Sequence, residues 1–220
     1  MPIDRAHEQT WESFVPGPNQ EILAAMSQPR EAFTGIWLCG NPGSGKTHLL
    51  RALALEGEHP ERRFYVDANG PRAQHQLELA ASGGKVILID EPSRLAHRSG
   101  VEDALLAIYE RLRATRGMLV VADRLAAVAT EFGTADLNSR LRSLMHYQMV
   151  PLRDADKAQI LRTRATHRGY VLSEAVLDYW LARGPRDLQL LLTDLDRLDR
   201  ASLARQRHVT VPLLKEVLGY

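Results

Sequence analysis

The stretch GNPGSGKTHLL, Gly40 to Leu50, constrains this chain more than any other. Its first eight residues fit G-x-x-x-x-G-K-[ST] at every position. The apolar run Gly35-Ile36-Trp37-Leu38-Cys39 stands before it and a helical pattern begins at Lys46. Strand, glycine loop and helix in that order make a phosphate cradle. The glycines let the backbone turn tightly enough for its N–H groups to converge on phosphate oxygens. The residues expected to grip the nucleotide are Pro42, Gly43, Ser44, Gly45, Lys46, Thr47 and His48. Lys46 supplies a point charge between the terminal phosphates. Thr47 offers a hydroxyl to Mg²⁺. The helix beginning at Lys46 turns its positive end toward the anion.

A second motif completes the first. Lys85-Val86-Ile87-Leu88-Ile89-Asp90-Glu91 reads as a buried strand ending in two acids. An acid at the end of a buried strand is weak evidence alone and strong evidence beside a phosphate loop. Asp90 joins Thr47 as a metal-site residue, and Glu91 would orient or deprotonate an attacking water. Asp123, at the end of Met118–Ala122, could reach the terminal phosphate or its water; capping the chain from Arg124 onward is the simpler alternative.

The rest of the chain divides in two. Short β-like runs at Ile36–Cys39, Phe64–Asp67, Val86–Ile89, Met118–Ala122 and Tyr147–Val150 alternate with helical stretches. Val101, Leu105, Ile108 and Leu112 fall on one helix face. Such alternation predicts an α/β unit with a parallel sheet covered on both faces, residues 1–151. After Pro151 the pattern is helical only. Helices are expected at Asp154–His167 with Asp154 as cap, at Ser173–Ala182, at Pro185–Ala204 with Pro185 in the first turn, and at Thr210–Leu218. That sets an all-helical unit over 152–220. Its Leu188, Leu191, Leu195 and Leu198 read as core, and the interleaved Asp194, Asp196, Arg197, Asp199 and Arg200 as a solvated face.

Bulk properties exclude several classes. The formal net charge is +1, so the balance of charges does not demand a strong electrostatic nucleic-acid binder. Cys39 is the single cysteine, which forbids an internal disulfide and suits a reducing compartment. No apolar run reaches the length of a membrane span, and MPIDRAHEQTWESF holds no apolar signal core. The expectation is a cytoplasmic protein without a membrane segment.

Together these residues resemble the DnaA/Hda family of AAA+ proteins, from about Thr10 to Tyr220. TWESFVPGPN looks like the family's segment over the adenine and ribose, which nominates Phe14, Val15 and Asn19. DLNSRL resembles the segment bearing the arginine finger, with Arg140 in that place. GPRDL resembles the sensor 2 helix, with Arg186 opening it. LRDADKAQILRTRATHRGYVLSEAV and LDRLDRASLARQRHVTVPLLKEVLGY carry the closest likeness, to the short regulatory branch of the family. The resemblance implies a base with sheet order 5-1-4-3-2, a helical lid and bound ATP or ADP with Mg²⁺. It implies DnaA and the polymerase sliding clamp as partners, and a possible homo-oligomer. The implied activity is stimulation of ATP hydrolysis on DnaA; the alternative is a self-contained ATPase serving as helicase loader or DNA-linked motor. Without the helix-turn-helix that follows this module in DnaA, sequence-specific DNA binding is not expected. The family's Gln-Leu-x-Leu-Pro clamp peptide is missing from MPIDRAHEQ. Its nearest substitute, Gln9 to Phe14, places Glu12 where an apolar pocket needs an aliphatic group. Weak clamp binding and a native start further upstream are expected.

Overall fold

The computed structural model describes residues 10–11, 14–27, 31–56, 62–98, 100–186 and 188–220, with backbone alone at 189. Gln9, Glu12 and Ser13 of the clamp-like segment lie outside these, as does Asp187 of GPRDL. Two compact units, Met1–Val150 and Pro151–Tyr220, divide the chain.

The first unit follows the order α1 (Gln20–Ser27), β1 (Thr34–Cys39), α2 (Lys46–Leu55), β2 (Arg63–Asp67), α3 (Ala73–Ser82), β3 (Val86–Asp90), α4 (Val101–Ala114), β4 (Met118–Asp123), α5 (Ala135–Arg142) and β5 (Met145–Gln148). The sheet reads β2-β3-β4-β1-β5, the expected order taken from its other edge, and every pairing is parallel. Alternation along the strands splits the core in two. Ile36, Leu38, Leu88 and Val120 face Ile22, Met26, Leu49 and Leu53 of α1 and α2. Trp37, Ile87, Ile89 and Val121 face Leu77, Ile108 and Leu137 of α3, α4 and α5.

Two polar contacts hold this layer together. Arg111 on α4 reaches the carbonyls of Ala80, Ala81, Gly83 and Gly84, closing the C-terminal end of α3 with a cation. Glu102 accepts from the N–H groups of His97, Gly133 and Thr134 and from the Thr134 hydroxyl. Burial alone would raise the Glu102 carboxyl, but those hydrogen bonds outweigh it and hold it at about 2. An unfolded glutamate takes up its proton near 4.5. The stabilisation from Glu102 is therefore full above that pH and drains away as pH falls toward about 2. Glu102→Gln should flatten the acid side of the stability profile, read as the drop in urea midpoint between about pH 5 and pH 3. Equal drops in both proteins would show that the carboxylate contributes nothing to acid stability.

Strand β5 begins two residues earlier than the apolar run Tyr147–Val150 suggests. Its register is set by β1, with Ile36 opposite Met145 and Cys39 opposite Gln148. It is an edge strand, so apolar content does not mark it. Cys39 is buried, and burial pushes its thiol up, as for a core filler.

The second unit contains α6 (Asp154–His167), α7 (Glu174–Arg183), α8 (Leu188–Arg205) and α9 (Val211–Leu218). Leu191, Leu195 and Leu198 pack with Leu161, Trp180 and Leu214 in its core. Three local expectations change. Asp154 is the first helical residue of α6, and Asp156 reaches back to the Arg153 N–H at 2.9 Å. Helix α8 starts at Leu188 and not at Pro185. Asp194 is buried and accepts from Arg197 and from the Tyr220 hydroxyl, so this acid belongs to the packing and not to a solvated face. Asp196 and Asp199 meet Arg168 at 2.7 and 4.0 Å.

Candidate functional site

The site is built where β1 hands over to α2. Gly43 and Gly45 have φ of 77° and 95°, left-handed values that a side chain would strain. Gly45 is the residue that launches α2. Lys46 is buried, and its Nζ donates to the carbonyls of Gly40 at 2.6 Å and Asn41 at 3.0 Å and to the Ser44 hydroxyl at 3.4 Å. Burial lowers the Lys46 ammonium, while Asp90, Glu91 and Asp123 pull the other way. An arriving phosphate would add negative charge to the side that keeps it protonated.

Asp90 ends β3 beside this loop and is 4% exposed. Thr47 donates to its Oδ2 at 2.7 Å and Tyr65 to the same oxygen at 3.1 Å. Oδ1 is buried without a hydrogen bond. Burial pushes the Asp90 carboxyl up, against the two hydroxyls. A buried carboxylate oxygen awaiting a partner, next to a threonine hydroxyl, fits a hard divalent cation. Among the described residues no group of three or more His, Cys, Asp or Glu could hold a metal. A cation here would complete its shell from phosphate and water, as Mg²⁺ commonly does.

Glu91 takes an uncommon conformation, φ 54° and ψ 49°. Its Oε2 accepts from Asn69 at 3.1 Å and from Arg94, and its Oε1 from Arg124 at 2.9 Å. Burial would raise this carboxyl, but those donors outweigh it and hold it at about 2. Asp123 is also committed. Its oxygens accept from the Ser93 N–H (3.0 Å), the Ser93 hydroxyl (2.9 Å) and the Arg124 N–H (2.7 Å). No α-helix begins at Arg124; the carboxylate ties the end of β4 to the short turn Pro92–Leu95.

The N-terminal segment reaches the loop through Phe14. Its ring meets His48 edge-on, with centroids 5.2 Å apart, and a Cβ on Gly45 would lie 3.3 Å from it. His48 also contacts the Thr10 carbonyl at 3.2 Å. Val15 is half-buried and Pro42 exposed. Asn19 is 3% exposed, and both ends of its amide are used. Its Nδ2 donates to Pro16 and Val150, and its Oδ1 accepts from the Val150 N–H at 2.8 Å. It stitches this segment to the residues after β5.

The two arginines are held by partners of their own. Arg140 sits in the last turn of α5. Its Nε approaches Glu110 at 2.9 Å and Asp136 at 3.6 Å without an aligned hydrogen bond, and its guanidinium lies 5.8 Å from the Tyr109 ring centroid. Arg186 precedes α8 instead of opening it, and pairs with Asp154 at 2.9 Å. Sequence reasoning missed Tyr65, Arg94 and Arg124. Tyr65 shares a sheet face with Asp90 through the β2–β3 register, the one signal that could have found it.

A five-stranded parallel sheet in this order, with a glycine loop after β1, an acid ending β3 and a separate helical unit, is the AAA+ arrangement of a P-loop protein. Residues 154–218 match the family model described as Hda, lid domain. Domain III of the replication initiation protein DnaA from Thermotoga maritima superposes with TM-score 0.77 at 20% identity, covering 96% of each chain. AMPPCP-bound DnaA from Aquifex aeolicus superposes with TM-score 0.70 at 18% identity, covering 86% of this chain and 64% of that one. The Thermotoga maritima RuvB Holliday junction branch migration motor gives TM-score 0.70 at 16% identity, over 96% and 71%. Residues 154–218 are thus similar to the Hda lid domain, and the fold is shared with DnaA-type AAA+ proteins. No described helix is long and apolar enough to cross a membrane.

Proposed function

We propose that this chain binds an adenine nucleotide with Mg²⁺ and regulates replication initiation by promoting ATP hydrolysis on DnaA. The first unit acts as the nucleotide-binding base and the second as its lid. The observation that carries the reading is the lid match over residues 154–218, joined to the phosphate loop in the first unit. Lys46, Thr47 and the backbone N–H groups of Gly43 to Thr47 would hold the phosphates, with Thr47 and Asp90 at the cation. Bound Mg²⁺ would neutralise charge on the phosphates. Phe14, Val15 and His48 would flank the base and ribose, with Asn19 holding that segment in place. Arg186 would close on the phosphates from the lid. Arg140 would point out of its own subunit toward ATP on DnaA, stabilising charge as it develops in the transition state.

The nucleotide in this chain's own pocket serves as a structural switch more than a fuel. Glu91 supports that view. A carboxylate accepting from Asn69, Arg94 and Arg124 has little left with which to orient a water. Arg124→Ala should raise intrinsic turnover by about 1.4- to five-fold, the effect of losing one exposed ion pair worth ~0.2–1 kcal/mol. Single-turnover hydrolysis of labelled ATP measures it. A rate equal to or below wild type would mean that Arg124 does not restrain Glu91.

Hydrolysis by DnaA with this chain, with and without the sliding clamp, tests the main reading. Turnover that appears only when all three are combined supports it. Trp11 and Phe14 pack against the core, so these two side chains would have to leave it to enter a clamp pocket. The complete set Lys46, Asp90 and Glu91 favours a second reading, a self-contained motor or helicase loader. Robust ATPase by the chain alone would select it. No turnover under either condition would leave an adaptor that works through its lid surface.

A further inference from the structure

Asp90 accepts a hydrogen bond from β2 as well as from the glycine loop's Thr47. Tyr65 lies on β2, which pairs with β3 so that Tyr65 faces Leu88 and Asp67 faces Asp90. Side chains two apart share a face, so the phenol reaches diagonally to the Asp90 carboxylate. Its hydroxyl donates to Oδ2 at 3.1 Å, beside Thr47 at 2.7 Å on the same oxygen. The phenol is itself steadied. Arg51 on α2 donates through Nε to the hydroxyl at 3.3 Å, and its guanidinium lies 5.4 Å from the ring centroid. Oδ1 of the same carboxylate is buried and has no hydrogen bond. A buried carboxylate oxygen left unsatisfied costs free energy, so an arrangement that loads one oxygen with two donors and keeps the other bare points to a ligand.

We propose that Tyr65 is a positioning residue for the divalent cation. With Arg51 behind it, Tyr65 fixes the rotation of the Asp90 carboxylate and keeps Oδ1 as the acceptor for the cation or its bound water. Thr47 can donate to Oδ2 and still turn a lone pair to the cation, but one hydrogen bond leaves the carboxylate free to pivot, and the Tyr65 hydroxyl supplies the second. The proposal rests on the reading of this pocket as a Mg²⁺-nucleotide site. Outer-layer partners of metal ligands typically matter 10–100-fold for metal affinity.

Tyr65→Phe tests it, since it removes one oxygen and keeps the ring. Fluorescent ADP is titrated onto the full chain in EDTA and again across a range of free Mg²⁺. The expected result is an affinity in EDTA within about two-fold of wild type, with the Mg²⁺ concentration for half-maximal effect raised roughly 10–100-fold. Electron paramagnetic resonance with Mn²⁺ and ADP should show the same loss without any turnover. An unchanged Mg²⁺ half-point, or an equal loss in EDTA and in Mg²⁺, overturns the proposal and leaves Tyr65 a packing residue. Arg51→Ala, which loosens the phenol without touching Asp90, should shift the half-point in the same direction by less. It carries the test if Tyr65→Phe does not fold, and no shift then overturns the proposal. Wild-type protein that binds no nucleotide in either buffer overturns the pocket reading itself, and this inference with it.

Discussion

Arg140→Ala is expected to abolish stimulated hydrolysis on DnaA while leaving this chain's own nucleotide affinity unchanged. An arginine finger is worth ~10³–10⁵ in rate, the largest effect any one side chain here should have. The residue sits far along the chain from the phosphate loop, on α5. Its charge is set between Glu110 and Asp136 and over the Tyr109 ring. The turn beneath it is pinned by Ser143, whose hydroxyl donates to the Arg140 carbonyl at 2.6 Å and lies 3.2 Å from the Tyr109 hydroxyl. A guanidinium in such a frame would be presented to a neighbour with little ordering left to do. Arg140→Lys should fail almost as badly, since an ammonium lacks the planar fork. Equal stimulation by wild type and Arg140→Ala would remove this residue from the mechanism.

Lys46→Ala should weaken nucleotide binding roughly 10²–10³-fold or more, the cost of stripping about 3–5 kcal/mol of charge partnership from a buried site. The lysine is buried with its ammonium drawn onto the carbonyls of Gly40 and Asn41, so the loop and the cation form one unit. Calorimetric titration with ADP and ATP reads the effect. Affinity equal to wild type would show that the glycine loop is not a phosphate cradle. The two variants fail differently: Lys46→Ala should lose this chain's nucleotide, and Arg140→Ala should keep it.

What could be read from the residues depended on how far apart the cooperating groups lie. The phosphate loop is contiguous, and its chemistry is written in adjacent letters. The leucine stripe of α8 is periodic within one helix, and Leu191, Leu195 and Leu198 are buried as their spacing implies. Strand β5 was harder, because its pairing with β1 and not its own apolar content sets its limits. Asp194 reads as surface among its charged neighbours, yet Tyr220, far along the chain, turns it into a buried acceptor. The grip on Glu91 comes from Asn69, Arg94 and Arg124, which belong to three separate segments and share no spacing. Arg140 and Arg186 are nominated by resemblance alone, since a lone arginine has no local mark that separates a finger from a surface charge.

The sheet order has a consequence for how the chain is made. Strand β1, which carries the phosphate loop, pairs with β4 and β5, neither of them near it in sequence. A ribosome delivers β1, α2, β2, α3 and β3 before β1 has any neighbour. Until Met118–Asp123 emerges, the loop has no rigid strand behind it, and β3, with Asp90, has only β2 beside it. The two acidic and basic halves of the pocket are therefore brought together late and at once, by the arrival of β4 between them. Nascent chains shorter than that would hold apolar strand edges open, the state in which parallel sheets are slowest to form and most exposed to misassociation.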